Sequence, residues 1–156
     1  MSDSAGPVDV RLLDAPFDAG AELAGFTARM AGAGGIVSFL GQVREDSGVL
    51  ALEIRHYPPM TLPGFRNLAQ IAARRWALDG VLLLHRVGEM GAGDPIVLVA
   101  AAARHRRDAF AATDFMMDHL KGDSWLWKRE RTAAGWRWIE PRDEDHSDRA
   151  RWAKYL

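Results

Sequence analysis

Cysteine is absent from this 156-residue chain, which excludes disulfides, thiolate metal sites and a cysteine nucleophile together. The histidines, His56, His85, His105, His119 and His146, show neither HxH nor HExxH spacing, so no metal site and no cofactor are expected. Long apolar runs are missing as well. The longest, Ile96 to Ala103, falls well short of the ~18–20 residues of a membrane helix and reads as a buried strand. Neither sign of charge is in excess: a net charge of −1 provides no global field for nucleic acid or an anionic membrane. The opening MSDSAGPVDV lacks the basic start and apolar centre of a secretory leader, so a cytoplasmic protein is expected.

What is present is an ordinary globular composition, 48% hydrophobic and 26% charged, in a length that suits one domain over residues 1–156 with a charged tail from about Pro141. Val8 to Leu13 predicts a first strand. Asp18 is placed to cap a helix reaching about Met30, which the glycines of AGAGG (Ala31 to Gly35) stop. That run precedes a strand and so reverses the order of a dinucleotide-binding loop. Strands are predicted over Gly35 to Arg44 and Val49 to Tyr57, and a helix with Pro63 in its first turn. Val81 to Val87 and Ile96 to Ala103 follow as apolar strands around a turn-rich loop, GEMGAGDP. A helix from Asp108 to Leu120, with Phe110, Met117 and Leu120 inward, stops near Gly122. Trp125 to Arg131 and Trp136 to Ile139 bracket TAAG as a hairpin. Trp152 and Tyr155 could dock the charged tail. This order indicates an α+β fold with mostly antiparallel strands.

The basic residues cluster locally, and each candidate has a plain reading beside a functional one. Arg44 is either a solvated strand end or an arginine aimed at a phosphate, with Gly41 letting a ligand approach the backbone. His105, Arg106 and Arg107 form either a basic surface turn or an anion grip at a helix start, where backbone N–H groups and the dipole favour negative charge. Lys121 suits a helix C-terminus on electrostatic grounds alone. Lys128, between tryptophans, could be a snorkelling surface residue or a desolvated amine with a lowered pKa. Glu130 beside it could pair or orient it. His85, in an apolar strand, reads as a satisfied core histidine.

FLGQVR (Phe39 to Arg44), LEIRHYPPM (Leu52 to Met60), HRVGEMGAGDPIVLVAAAARHRRDAF (His85 to Phe110) and MDHLKGDSWLWKRE (Met117 to Glu130) occur in that order. Together they resemble the large, catalytic subunit family of molybdopterin synthase, from about residue 8 to Trp152. The most specific parts are HRxGxxxxGD, a His-Arg pair sixteen residues before a lysine, and K-x6-K followed by Arg-Glu. The resemblance implies an α/β-hammerhead-like α+β fold. It also implies a sulfurtransferase that converts cyclic pyranopterin monophosphate to molybdopterin. Sulfur would arrive as a thiocarboxylate on the C-terminal glycine of a small ubiquitin-like subunit, and two large subunits would pair at the centre of a heterotetramer. Because the chain ends in WAKYL, that small subunit is expected to be a separate polypeptide.

Carried over by position, Arg44, His105 and Arg106 correspond to residues that bind the phosphate or shape the pterin pocket. Lys121 and Lys128 correspond to the lysines of catalysis. Arg129 and Glu130 follow the second lysine, and Arg142 matches an arginine contributed by the neighbouring subunit. Gln42 stands where the family often has lysine. Lys121 is expected in proton transfer and Lys128 in positioning the thiocarboxylate, with exchange of these roles left open. Two other readings are a non-catalytic phospholigand-binding paralogue and a nucleic-acid binder, the latter at odds with the net charge.

Overall fold

The computed structural model describes residues 5–122, 125–140 and 143–152. Two four-stranded sheets organise it. The first, in the order β1-β4-β6-β2, joins Val8–Leu13 (β1), Gly80–Arg86 (β4), Pro95–Ala103 (β6) and Gly35–Gln42 (β2). The second, β5-β3-β7-β8, joins Gly88–Met90 (β5), Ala51–His56 (β3), Leu126–Thr132 (β7) and Gly135–Ile139 (β8). All pairings are antiparallel except β1 with β4. Four helices complete the α+β fold: Ala19–Arg29 (α1), Pro58–Arg75 (α2), Arg106–Gly122 (α3) and Asp143–Ala150 (α4).

The apolar runs of β4 and β6 are continuous because both faces of the first sheet are covered. Alternation along a strand sends successive side chains to opposite faces. Leu82, Leu84, Leu98, Ala100 and Ala102 therefore pack with Phe26 of α1 on one side. Val81, Leu83, Val97, Val99, Ala101 and Ala103 meet Phe65 and Ala72 of α2 and Ala112 and Met116 of α3 on the other. Each large side chain so buried contributes roughly 1.5–3 kcal/mol. The alanines shared by β6 and α3 keep that helix close to the sheet, which fixes where its two ends emerge. None of the helices is long and apolar enough to cross a membrane, among the described residues.

The second sheet meets the first at a small cluster of Val43, Ile54, Val87 and Met90, with Leu12, Leu52, Ile96 and Leu126 at its margin. Its other face carries exposed Trp127, Trp136 and Trp138.

Several expectations shift. The second helix begins at Pro58, so Pro63 lies inside it rather than in its first turn. Pro58 and Pro59 are tolerated there because first-turn N–H groups have no intrahelical partner. The GEMGAGDP loop contributes the short strand β5, paired with β3. Phe110 points outward, 61% exposed. The buried stripe of α3 runs instead through Ala109, Ala112, Thr113, Met116 and Leu120 at helical spacing. The charged tail forms α4, and Trp152 docks edge-on against Trp76 and Phe115 while its indole N–H donates to Asp118. Tyr155 lies outside the described residues.

Thr61 ties the second helix to the second sheet. It is wholly buried, accepts from the Tyr57 N–H at 3.0 Å and donates to the Trp125 carbonyl at 2.7 Å. Thr61→Val keeps the shape and orphans both partners, so urea unfolding should show a loss of about 1–3 kcal/mol with the m-value unchanged. A loss below about 0.5 kcal/mol would mean that neither hydrogen bond matters to the docking of β7.

Candidate active site

Lys121 and Lys128 come together from different elements. Lys121 occupies the last turn of α3 and is exposed. Lys128 lies within β7, opposite Ile54 of β3, on the face that turns toward the joint between the sheets. There it is half-buried. Burial pushes its pKa below the ordinary lysine value, the Lys121 charge pushes the same way, and Asp145 of α4 partly opposes them. The two amines are therefore close enough to feel each other, although seven positions separate them in sequence.

His85, the penultimate residue of β4, lies near enough to this pair to feel the Lys128 charge. Burial drives its pKa down to about 4; the hydrogen bond to the Arg86 carbonyl opposes that, and the Lys128 charge adds to it. The imidazole is neutral at pH 7. Its Nδ1 lies 2.9 Å from the Arg86 carbonyl oxygen; a carbonyl only accepts, so Nδ1 carries the hydrogen and Nε2 the lone pair. Phe65 lies 5.6 Å from His85 between ring centroids, and Trp125 meets Phe65 edge-on. The core reading of His85 holds, with a consequence sequence could not reach: it forms a wall that disfavours a second positive charge beside Lys128.

Arg44 emerges just beyond β2. It helps line a cleft of about 440 Å³ with Gln42, Val43, Glu45, Ala92 and Gly93. Val43 packs in the same cluster as Ile54, the neighbour of Lys128, so Arg44 and both lysines share one end of the molecule.

His105 and Arg106 occupy the other end. Both are exposed where α3 begins. Gly34 holds that corner tightly: a Cβ there would come within 2.0 Å of the Arg104 carbonyl oxygen, and its N–H donates to Ala103 at 2.9 Å. The glycine run thus does more than end a helix; it permits a close backbone approach. From Arg106 to Lys121 is fifteen positions of one helix, about 22 Å at 1.5 Å per residue. No small molecule spans both sets within one chain.

The remaining candidates divide by strand face. Arg129 projects from β7 away from Lys128; its Nη2 lies 3.0 Å from Glu53 and its guanidinium 4.3 Å from the Trp136 ring. Arg129 first, and Arg55 with it, hold the Glu53 carboxyl below the usual carboxylate range. Glu130 shares the Lys128 face but pairs with Arg137 of β8. Arg142 lies outside the described residues. Among the described residues, Arg44, His105, Arg106 and Lys121 form no ion pair. Unpaired cations around a cleft and a helix start suit an anionic ligand.

Sequence reasoning passed over Asp145 because it is one of many acidic residues in the charged tail. It also passed over one compositional signal for the lysines. The chain has 20 lysine and arginine residues combined, yet lysine occurs only at 121, 128 and 154.

The chain matches the family model described as MoaE protein over residues 12–123. It is 46% identical over 138 residues to the molybdopterin synthase catalytic subunit of Cereibacter sphaeroides, covering 88% of this chain and 94% of that protein. The solved structure of molybdopterin cofactor biosynthesis protein E from Burkholderia multivorans is 42% identical with a TM-score of 0.79, covering 93% of this chain and 96% of that one. A fold likeness extends to a Helicobacter pylori structure described as a protein–protein complex of subunits 1 and 2 of molybdopterin-converting factor. There the TM-score is 0.72 at 16% identity, covering 86% of this chain and 91% of that one.

The amine pair can be tested directly. Lys121→Ala removes a neighbouring cation and should raise the Lys128 pKa, while burial still holds it below ~10.4. Asp145→Asn should lower it. Carbon-13 dimethyl-lysine NMR follows the titration with only three lysine positions to assign. A Lys128 pKa that is unmoved or lowered in Lys121→Ala would separate the two amines.

Proposed function

The chain belongs to the MoaE protein family, and on that premise we propose that it is the catalytic subunit of a molybdopterin synthase. Its reaction is the conversion of cyclic pyranopterin monophosphate to molybdopterin, with dithiolene sulfur delivered as a C-terminal thiocarboxylate on a small ubiquitin-like subunit. The observation that carries this reading is the half-buried Lys128 beside Lys121, at the same end of the molecule as Arg44, which forms no ion pair among the described residues. A substrate with a phosphate and a partner with a thiocarboxylate both bring negative charge to a site that offers uncompensated cations.

The chemistry follows from what each group can do. The thiocarboxylate sulfur supplies the electron pair of a new C–S bond at an electrophilic carbon. The C–O pair leaves on oxygen, which needs a proton, and water then cleaves the acyl–sulfur bond, leaving sulfur on the pterin and a carboxylate on the small subunit. A lysine with a lowered pKa is a stronger acid than an ordinary ammonium and hands over its proton more readily. Lys128 therefore suits proton transfer, and exposed Lys121 suits the incoming anionic tail. This exchanges the two roles expected from position. The chain carries no cysteine, in keeping with a protein that receives sulfur from a partner and does not relay it through a thiol.

The 22 Å between Arg106 and Lys121 supports a site completed by two copies. In that arrangement His105 and Arg106 of one large subunit face the lysines of the other, within a heterotetramer that includes two small subunits. Arg129 and Glu130 then act mainly by stiffening β7, through Glu53 and Arg137. The phospholigand-binding alternative shares the anion site but yields no product.

Single-turnover sulfur transfer with thiocarboxylated small subunit and pterin precursor separates the two. Lys128→Ala and Lys121→Ala should each slow dithiolene formation by about 10² or more. Near wild-type rates in both would sink the catalytic assignment, and no product from the unsubstituted protein would leave binding alone. Mixed dimers of His105→Ala with Lys128→Ala should recover activity that neither variant has alone, since one site per dimer then carries both intact halves. Failure to recover would put both halves of the site in one chain.

A further inference from the structure

The HRxGxxxxGD segment is one of the most specific parts of the sequence, yet neither Arg86 nor Asp94 has a role in the reaction as set out above. Arg86 ends β4 and is only 7% exposed. Its Nη1 lies 3.4 Å from Asp94 Oδ2, its Nη2 donates to the Glu89 carbonyl at 3.2 Å, and its buried Nε has no partner among the described residues. As a stabilising device this is poor. Burying a guanidinium costs several kcal/mol unless its geometry and hydrogen bonds are good, and here the ion pair is long and one donor is orphaned. What the pair does fix is the position of a turn.

Asp94 Oδ2 also accepts from the Gly91 N–H at 2.8 Å, and the Asp94 N–H donates to the Gly91 carbonyl at 3.1 Å. Gly93 completes the turn at a φ of +84°, in the left-handed region that favours glycine. The main chain of this turn then grips Val43 on both sides. The Val43 N–H donates to the Asp94 carbonyl at 2.9 Å, and the Gly93 N–H donates to the Val43 carbonyl at 2.7 Å. These bonds matter because β2 loses its regular register just before them, between Gly41 and Gln42. Val43 is buried in the joint, and the exposed Arg44 beside it borders the cleft shared with Ala92 and Gly93.

We infer that Arg86 and Asp94 are positioning residues for Arg44: the buried pair holds the Gly91 to Asp94 turn, and the turn's two hydrogen bonds to Val43 aim the Arg44 guanidinium into the cleft. The chain of contacts gives Arg86, Gly93 and Asp94 one joint task. It rests on the reading of Arg44 as a contact for the anionic end of the substrate.

The test is a double-substitution cycle in the assembled synthase with thiocarboxylated small subunit. Asp94→Asn keeps the size and an acceptor for Gly91 but removes the charge facing Arg86. It should raise KM for the phosphorylated pterin about five- to tenfold with kcat within about twofold. Arg44→Ala should raise KM at least as much, and the double variant should be no worse than Arg44→Ala alone. Arg86→Lys, which keeps the charge and loses the fork, should reproduce the KM-selective change and serves if Asp94→Asn folds poorly. An unchanged KM in these variants, equal losses in kcat and thermal stability, or multiplicative effects of Asp94→Asn and Arg44→Ala would overturn the inference. An unchanged KM in Arg44→Ala alone would overturn the Arg44 reading itself, a distinguishable failure that takes the inference with it.

Discussion

The packing of the second sheet across the end of the first, through Val43, Ile54, Val87 and Met90, is the constraint on which the site depends. Lys128 sits opposite Ile54 in the ladder, so the contact that buries Ile54 also draws an amine out of water. Desolvation is what lowers the pKa of that amine, and a neutral His85 behind it supplies no charge to restore it. The same contact buries Val43 and so places Arg44 at the margin of the joint. A hydrophobic cluster of modest size thereby sets both the acidity of one group and the direction of another.

Charge at the site is arranged in a way that stability alone would not favour. On the outer face of the second sheet, cations are matched: Arg129 and Arg55 with Glu53, Arg131 with Glu89, and tryptophan rings stacked among them. Around the cleft and the start of α3 they are left unmatched among the described residues. Such cations gain little for the folded chain and are available to an anion that arrives later. Within α3 one helix keeps Arg106 about 22 Å from Lys121.

Much of the fold was legible because local and global preferences agreed. Asp18 caps α1 as its position suggests, donating nothing and accepting from the Ala21 N–H. Val8–Leu13 and the hairpin around Thr132 to Gly135 follow from alternation and turn residues. Expectations failed where a tertiary contact outweighed local pattern. Phe110 is large and apolar, yet α3 rotates its alanine stripe to the sheet because small residues allow closer approach. The tail from Asp143 has almost no apolar face, and it is helical with Trp152, Arg151 and Arg149 anchored on α3.

By itself the sequence determined the family, the α+β class, the chemistry excluded by the missing cysteine, and the identity of the basic residues, because residue types and their spacing carry that information directly. Only the tertiary structure decided which of those residues meet. The pKa of Lys128, the neutrality of His85 and the hydrogen bonds that hold Val43 beside Arg44 all depend on burial and on contacts between segments far apart in the chain. A side chain's charge is written in its type, whereas the solvent and neighbours that give that charge a function exist only once the two sheets have packed.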